Sequence, residues 1–215
     1  MFASPIESCE RCALGKNGPC LFRPRAFKAG AGLLHQGEVN RSVHFVKDGV
    51  VGLTATDATG EEVLSSVRGP NTVLGLESLQ ERPAPFTVTA LEDTTVCSAS
   101  ALQVRRETDL DATSNLTSSF LGLVLAEHAN TQRDADLRAG QARARVAKFL
   151  VAAARLVKPG KKSAFSKAHV AALLGIRPET LSRCLRKLSE EGLIGADRLE
   201  VIDEVALGEV ARGAR

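Results

Sequence analysis

The sequence predicts an α+β protein in which an N-terminal antiparallel β-roll (a jelly roll) is followed by a long helix and a C-terminal winged helix-turn-helix. Three observations predict this order. Short β-branched segments separated by turn residues fill the first half, apolar residues recur every three or four positions in the middle, and two short helical segments flank a glycine near the C-terminus. With 215 residues, 44% of them hydrophobic and 25% charged, the composition is that of a folded globular protein.

The β-roll is predicted from six short apolar segments with no helical segment between them. Asp48-Gly49 and Gly69-Pro70-Asn71 supply turns. Strands at this close spacing are typical of an antiparallel roll rather than a parallel sheet. The segments are Ser42–Val46, Val50–Thr56, Val63–Val67, Val73–Leu76, Phe86–Ala90 and Thr94–Ala99.

The long helix is predicted from one apolar stripe in the middle of the chain. The stripe comprises Leu116, Phe120, Leu123 and Val124. Residues at this spacing share one helix face, which is either core or a seam with a partner helix. Polar residues follow from Glu127 onward, so the second half of the helix makes a poor coiled-coil seam.

A helix-turn-helix is predicted after residue 165. Ser166 can cap a first short helix, Gly175 can end it in the left-handed conformation, and Pro178 suits the first turn of a second helix. Two extended segments, Gly192–Ile194 and Leu199–Ile202, follow and form the predicted wing.

The second helix of this pair exposes a polar face that can contact DNA. Arg pairs with guanine and Glu accepts a hydrogen bond from cytosine in the major groove. The alternative is an ordinary solvated helix face, but the preceding helix, the glycine turn and the wing favour DNA binding. The exposed residues are Glu179, Ser182, Arg183, Arg186 and Lys187.

Charge is unevenly distributed along the chain. Residues 139–215 hold 15 Lys and Arg against 8 Asp and Glu, whereas residues 1–138 hold 13 against 17. This asymmetry indicates a C-terminal part that binds a polyanion.

Three function classes receive no support from the sequence. The longest uncharged apolar-rich run, about Leu116 to Ala126, is shorter than the roughly 20 residues of a membrane-spanning helix. Glu7, Glu10 and Arg11 occupy the place of a signal peptide's apolar stretch, so we expect a cytoplasmic protein. No nucleophile elbow, Walker loop or metalloprotease motif is present, and we expect no catalytic site.

The sequence resembles the family of the cyclic AMP receptor protein and the FNR regulators. The segments that carry the resemblance are LLGIRPETLSRCLRKLSEEGLI near the C-terminus and FKAGAGLLHQGEVNRSVHFVKDGVVGL near the N-terminus. The resemblance implies a cyclic-nucleotide-binding-type β-roll over residues 26–107 after a cysteine-containing segment, 1–25. It further implies a dimerisation helix over 108–138 and a winged helix-turn-helix over 139–215.

The resemblance also implies how such a protein acts. A homodimer would bind double-stranded DNA at a palindromic operator, with RNA polymerase as a further partner. The matching E-T-x-S-R positions imply that Glu179, Thr180, Ser182 and Arg183 contact bases. Helix geometry places Arg186 and Lys187 further along, nearer the phosphates.

The sequence leaves two candidate signals that the β-roll could detect, a cyclic nucleotide or a redox signal at a metal centre. Members that bind cyclic nucleotide carry an Arg-Ser or Arg-Thr pair facing the phosphate, but the corresponding place here is Ala84-Pro85, and Arg82 lies two residues early. A buried anion without its arginine is costly, so cyclic AMP is disfavoured. A regulator that responds to cyclic nucleotide remains the alternative. In that case the cysteines would form a structural zinc site or a thiol switch and would not hold an iron–sulfur cluster.

The cysteines favour a metal centre. Cys9, Cys12 and Cys20 have the spacing CxxC followed by a third Cys, and Cys97 lies in ALEDTTVC, which resembles a strand of the oxygen-sensing FNR proteins. That resemblance implies a [4Fe–4S] cluster held by these four thiolates, with zinc as the main rival. Cys184 falls on the apolar face of the second helix, where Cys behaves as a small hydrophobe.

Two further alternatives stay open. The chain could be an electron carrier whose helix-turn-helix binds only protein. A haem sensor would need an axial His, but the four histidines are scattered among different elements. We expect each of them to be structural or solvated.

Overall fold

The computed structural model describes residues 20–56, 60, 62–110, 115–154, 166–195 and 200–213. The strands are β1 (Arg23–Phe27), β2 (Gly32–Leu34), β3 (Ser42–Asp48), β4 (Val51–Thr56), β5 (Glu62–Arg68), β6 (Val73–Leu74), β7 (Thr87–Ala90) and β8 (Thr94–Ser100). The helices are α1 (Ala101–Leu110), α2 (Asn115–Leu137), α3 (Ala142–Ala154), α4 (Lys167–Leu174), α5 (Pro178–Glu190) and α6 (Glu204–Ala211). A 3-10 helix, Leu76–Gln80, lies between β6 and β7. The predicted α+β fold class is confirmed.

The strands form two four-stranded sheets. Their orders are β1-β8-β3-β6 and β2-β7-β4-β5, and the pairs β1–β8, β3–β8, β3–β6, β2–β7 and β4–β7 are antiparallel. Apolar side chains from both sheets meet in what we call the roll core. Its members are Leu34, Val46, Val51, Leu53, Leu74 and Val88.

The opposite face of the first sheet is covered by helices. Residues alternate in direction along a strand, so Val43 and Phe45 of β3 point away from Val46. They pack with side chains of α1 and α2 in what we call the sheet–helix core. Its members are Phe22, Val43, Phe45, Val73, Cys97, Ala99, Val104, Phe120 and Leu123.

The predicted turn at Asp48-Gly49 is present and needs its glycine. Gly49 has φ 93°, and a Cβ at this position would lie 2.7 Å from the Cα of Thr94. A side chain there would therefore collide with the start of β8.

The observed elements differ from the prediction in several places. Strands β1 and β2 were not predicted, and Leu76 begins the 3-10 helix rather than ending a strand. The wing is represented by a single bridge between Ile194 and Val201, with residues 196–199 outside the described part. Helix α6 follows, capped by the Asp203 carboxylate, which accepts from the Ala206 N–H at 2.9 Å.

The chain divides into two compact units. One comprises Met1–Gly60 and Val67–Asn130, and the other comprises Glu61–Ser66 and Thr131–Arg215. The second unit therefore includes most of β5 and the last turns of α2. No helix in the described ranges is long and apolar enough to cross a membrane.

Candidate sensor site and DNA-binding surface

Cys97 lies in the middle of β8. Its cross-strand neighbours are Pro24 of β1 and Phe45 of β3. The residue is 6% exposed and belongs to the sheet–helix core, together with Ala99 on the same face of the strand. The thiol therefore lies on the sheet face that α1 and α2 cover.

Cys20, which precedes β1, contacts the same sheet–helix core. It is half-buried and packs against the sheet–helix core. Arg23 Nη1 donates to the carbonyl oxygen of Cys20 at 2.9 Å, which holds the backbone just before β1. The structure thus brings two of the four predicted ligands to one apolar core, whereas Cys9 and Cys12 lie outside the described residues.

The chemistry of this place fits a soft-metal centre. Phe22, Val104 and Phe120 supply an apolar surrounding for the thiols, and such a surrounding limits solvent access to a cluster. Among the residues that the structure describes, no three His, Cys, Asp or Glu side chains are grouped as metal ligands. The described part supplies two thiols, and the prediction requires two more from Cys9 and Cys12.

Cys184 lies elsewhere, on helix α5. It is half-buried, and burial raises the pKa of its thiol, an effect partly offset by the positive charges of Arg183, Lys187 and Arg143. A thiol held protonated in this way suits a packing role rather than metal ligation.

The segment corresponding to the cyclic-phosphate pair is closed by backbone hydrogen bonds. Ala84 is 3% exposed; its N–H donates to the Glu38 carbonyl at 2.8 Å, and its own carbonyl accepts from the Gly37 N–H at 2.9 Å. Arg82 is exposed. A buried methyl therefore occupies the position at which the family resemblance implied a guanidinium for cyclic-nucleotide binding.

His44 is the one buried histidine among the described residues. Its Nδ1 lies 2.8 Å from Ser98 Oγ, and its Nε2 is buried without a hydrogen-bond partner in the described part. Burial, and secondarily the charge of Arg25, lowers the pKa of His44 to about 4. The ring is therefore neutral at physiological pH, as expected for a structural histidine. The exposed histidines are His35, His128 and His169.

Two of the four residues of the predicted stripe on α2 pack against their own chain. Phe120 and Leu123 are 9% and 7% exposed because they pack inside their own chain, in the sheet–helix core. The side chain of Leu116 lies outside the described part. Val124 is exposed, together with two apolar residues that the sequence interpretation missed, Leu121 and Leu125. Their spacing of three and four residues could have identified them.

The helix-turn-helix forms as predicted. Ser166 Oγ accepts from the His169 N–H at 3.1 Å, Gly175 ends α4 with φ 60°, and Pro178 occupies the first turn of α5. Leu181, Leu185 and Leu188 are buried on one face of α5.

The opposite face of α5 carries the predicted DNA-contacting side chains. Thr180 is half-buried and the other five are exposed: Glu179, Ser182, Arg183, Arg186 and Lys187. Arg186 Nε lies 3.8 Å from Glu190 Oε1, an exposed pair one turn apart that adds little stability. These side chains are consequently available to a duplex.

Comparison with known proteins agrees with both units. A cyclic nucleotide-binding domain model matches residues 24–109, and a Crp-like helix-turn-helix domain model matches residues 144–210. The chain is 31% identical over 204 residues to the cyclic AMP receptor protein of Thermus thermophilus, covering 89% of each chain. It is 29% identical over 201 residues to the transcriptional activator protein Anr of Pseudomonas aeruginosa, covering 89% of this chain and 81% of that one.

A solved structure shows the same fold. FixK2 from Bradyrhizobium japonicum superposes with a TM-score of 0.75 at 20% identity, covering 87% of this chain and 96% of that one. The models and relatives are those of transcription regulators rather than enzymes. Together with the basic exposed face of α5, they show that this chain belongs to the CRP/FNR family of DNA-binding transcription regulators.

Proposed function

We propose that this regulator senses oxygen or a related oxidant through a [4Fe–4S] cluster bound by four cysteines. The ligands would be Cys9, Cys12, Cys20 and Cys97. The observation that supports the proposal is that Cys97 belongs to the sheet–helix core and Cys20 packs against the same core, although β1 to β7 separate them in sequence. When bound, such a cluster supplies iron–thiolate chemistry that responds to redox conditions.

The residues around these thiolates connect the site to the long helix. Cys97 shares the sheet–helix core with Phe120 and Leu123 of α2, so a change in packing at Cys97 alters the surface on which α2 lies. The exposed residues Leu121, Val124 and Leu125 form the apolar stripe that we propose as the homodimer seam. A near-balanced monomer–dimer equilibrium needs only a few kcal/mol to shift.

The dimer would present two copies of α5 to a palindromic operator in double-stranded DNA. Base contacts are assigned to Glu179, Thr180, Ser182 and Arg183. Arg186 and Lys187 contact phosphates, and RNA polymerase is the partner proposed for the DNA-bound dimer.

Anaerobic purification tests the cluster. Iron, sulfide and zinc are measured in the wild type and in single Cys→Ser variants at positions 9, 12, 20 and 97, with Cys184→Ser as the matched control. We expect a brown protein containing iron and sulfide in the wild type and the control. Each of the four ligand variants should lose both.

The same assay distinguishes zinc from iron. If the protein contains stoichiometric zinc and neither iron nor sulfide, the four cysteines form a structural zinc site and not a cluster sensor. Full iron and sulfide in Cys97→Ser would overturn the four-ligand assignment.

A second candidate is a cyclic-nucleotide-responsive regulator. It is favoured by the matched cyclic nucleotide-binding domain model and by the relative named cyclic AMP receptor protein. Titration of cyclic AMP into the full-length protein, followed by thermal unfolding, tests it. We expect no stabilisation, because Ala84 replaces the charged partner of the phosphate; a saturable rise in Tm would favour this candidate.

A further inference from the structure

One arginine at the end of α2 joins two separate elements of the second unit. Arg138 follows the last residue of α2; its Nη2 donates to the Ser65 carbonyl of β5 at 2.8 Å. Its Nε donates to the Leu173 carbonyl of α4 at 3.0 Å. A single planar guanidinium therefore contacts both a strand of the roll and the first helix of the helix-turn-helix.

The hydrogen bonds at the end of α4 show why Arg138 lies there. The last four carbonyls of a helix have no partner within the helix. Two of them, on Ala171 and Ala172, accept from the backbone N–H groups of Ile176 and Gly175 at 3.0 and 3.1 Å.

Two arginines take the remaining two carbonyls. Leu173 accepts from Arg138, and Leu174 accepts from Arg145 Nη1 at 3.3 Å. Positive charge is favourable at the C-terminal end of a helix. Of the hydrogen bonds described for these two arginines, that of Arg138 Nη2 reaches β5. Arg145 Nε instead donates to the carbonyl of Gly140 at 2.7 Å.

A second hydrogen bond holds β5 to the C-terminal end of α2, next to Arg138. Ser66 Oγ donates to Asp134 Oδ2, on the last turn of α2, at 2.8 Å. Ser66 is 6% exposed, so water competes little for this bond. Strand β5 is thus fixed at two successive residues, Ser65 and Ser66, to the segment that caps α4.

We propose that Arg138 is a positioning residue that fixes α4, and with it the recognition helix α5, to strand β5. Helix α4 is followed by α5 after only Gly175–Arg177, so the position of α4 sets that of α5. A displacement of β5 would then reach the DNA-contacting face through Arg138. This role depends on DNA binding, which the family establishes, and not on the metal at the cysteines.

The test compares two capping arginines in the full-length protein. Arg138→Lys keeps the charge, but one ammonium group cannot replace a planar fork that reaches two carbonyls. Arg145→Lys is the matched control, because it alters a cap on α4 without altering the contact to β5. Ser66→Ala loosens β5 without touching the carbonyls of α4.

Amide hydrogen exchange in β5 is measured for each variant. The wild type is first used to select a tightly bound duplex from a pool of random sequences. The affinity of each variant is then measured for this selected duplex and for an unselected duplex. For Arg138→Lys we expect faster exchange in β5 and about tenfold weaker binding to the selected duplex. Binding to unselected duplex should stay within about twofold, because it depends on phosphate contacts alone. Ser66→Ala should show a smaller loss of the same kind, and Arg145→Lys should leave β5 exchange unchanged.

Two outcomes would overturn the proposal. If Arg138→Lys and Arg145→Lys weaken binding equally while β5 exchange stays at the wild-type rate, Arg138 is only a helix cap. If Ser66→Ala speeds exchange in β5 but leaves affinity for the selected duplex unchanged, the strand does not position the recognition helix. Circular dichroism of all three variants excludes misfolding as the cause of either result.

Discussion

At the scale of single residues, His44 makes the stability of the roll depend on pH. Its ring is buried, with Ser98 Oγ on Nδ1 and no described partner on Nε2. The pKa falls from 6.5 to about 4 because burial, and then Arg25, disfavours the charged ring. Between these two values the unfolded chain binds the proton and the folded chain does not.

Stability falls as pH drops below the unfolded pKa of 6.5, and the loss is complete below about pH 4, where the folded ring is also protonated. A shift of this size corresponds to about 3 kcal/mol. We expect urea unfolding to show a lower midpoint at about pH 5 than at about pH 7.5, and this difference to shrink in His44→Gln.

Exposed His128 supplies the control for that experiment. His128→Gln should keep the wild-type pH dependence, because its ring lies at the surface of α2. An undiminished pH dependence in His44→Gln would show that other groups are responsible.

Arg183 and Lys187 lie on the same exposed face of α5 but have different expected roles. Arg183→Ala should cost about 1–3 kcal/mol on the operator and relax the preference at one base pair. Lys187→Ala should weaken binding to all sequences similarly and flatten the dependence on salt. Binding measured on selected and random duplexes over a salt series separates the two, and equal losses on both duplexes for Arg183→Ala would refute the base contact.

At the scale of elements, α2 has two apolar faces with different roles. Phe120 packs in the sheet–helix core, whereas Leu125 is 60% exposed. Phe120→Ala should destabilise the fold by about 3 kcal/mol, because it leaves a cavity beside Cys97. Leu125→Glu should leave the unfolding free energy of the monomer nearly unchanged and shift the protein toward monomer.

Chemical denaturation and sedimentation velocity on both variants check this division. If Leu125→Glu stays a dimer at micromolar concentration, the exposed stripe is not the seam.

The elements also show which features the sequence could predict. The turn at Gly49 and the caps Ser166 and Gly175 were predictable because each depends on local chemistry of its own residue. Strand β1 was not, since four of its five residues are exposed and it shows no apolar alternation. It is defined by pairing with β8, a contact distant in sequence.

The candidate site also has features that the sequence could predict and features that it could not. Periodicity places Phe120 and Leu123 on one helix face, but it does not say whether that face meets its own sheet or a second subunit. The contacts of Arg138 had no sequence signal at all, because both acceptors are backbone carbonyls, which every residue possesses. The placement of Cys20 and Cys97 at one core was expected from a family resemblance rather than from spacing.

At the scale of the whole molecule, the proposed sensor belongs to one compact unit and the DNA-binding surface to the other. The excess of Lys and Arg falls in residues 139–215, which agrees with the family's DNA-binding function. The long helix α2 runs through both units, which divide between Asn130 and Thr131. Strand β5 likewise has residues in both units.

In the proposed function, oxidant at the four cysteines controls the dimer and, through it, specific DNA binding. Sedimentation of one anaerobic sample before and after exposure to air, with binding to a selected duplex measured on both, tests this most directly. We expect a dimer with specific binding before exposure, and mainly monomer with weak, nonspecific binding afterwards. Cys97→Ser should behave as the air-exposed protein from the start, and Cys184→Ser as the wild type. An unchanged dimer with unchanged affinity after complete loss of iron would contradict the account.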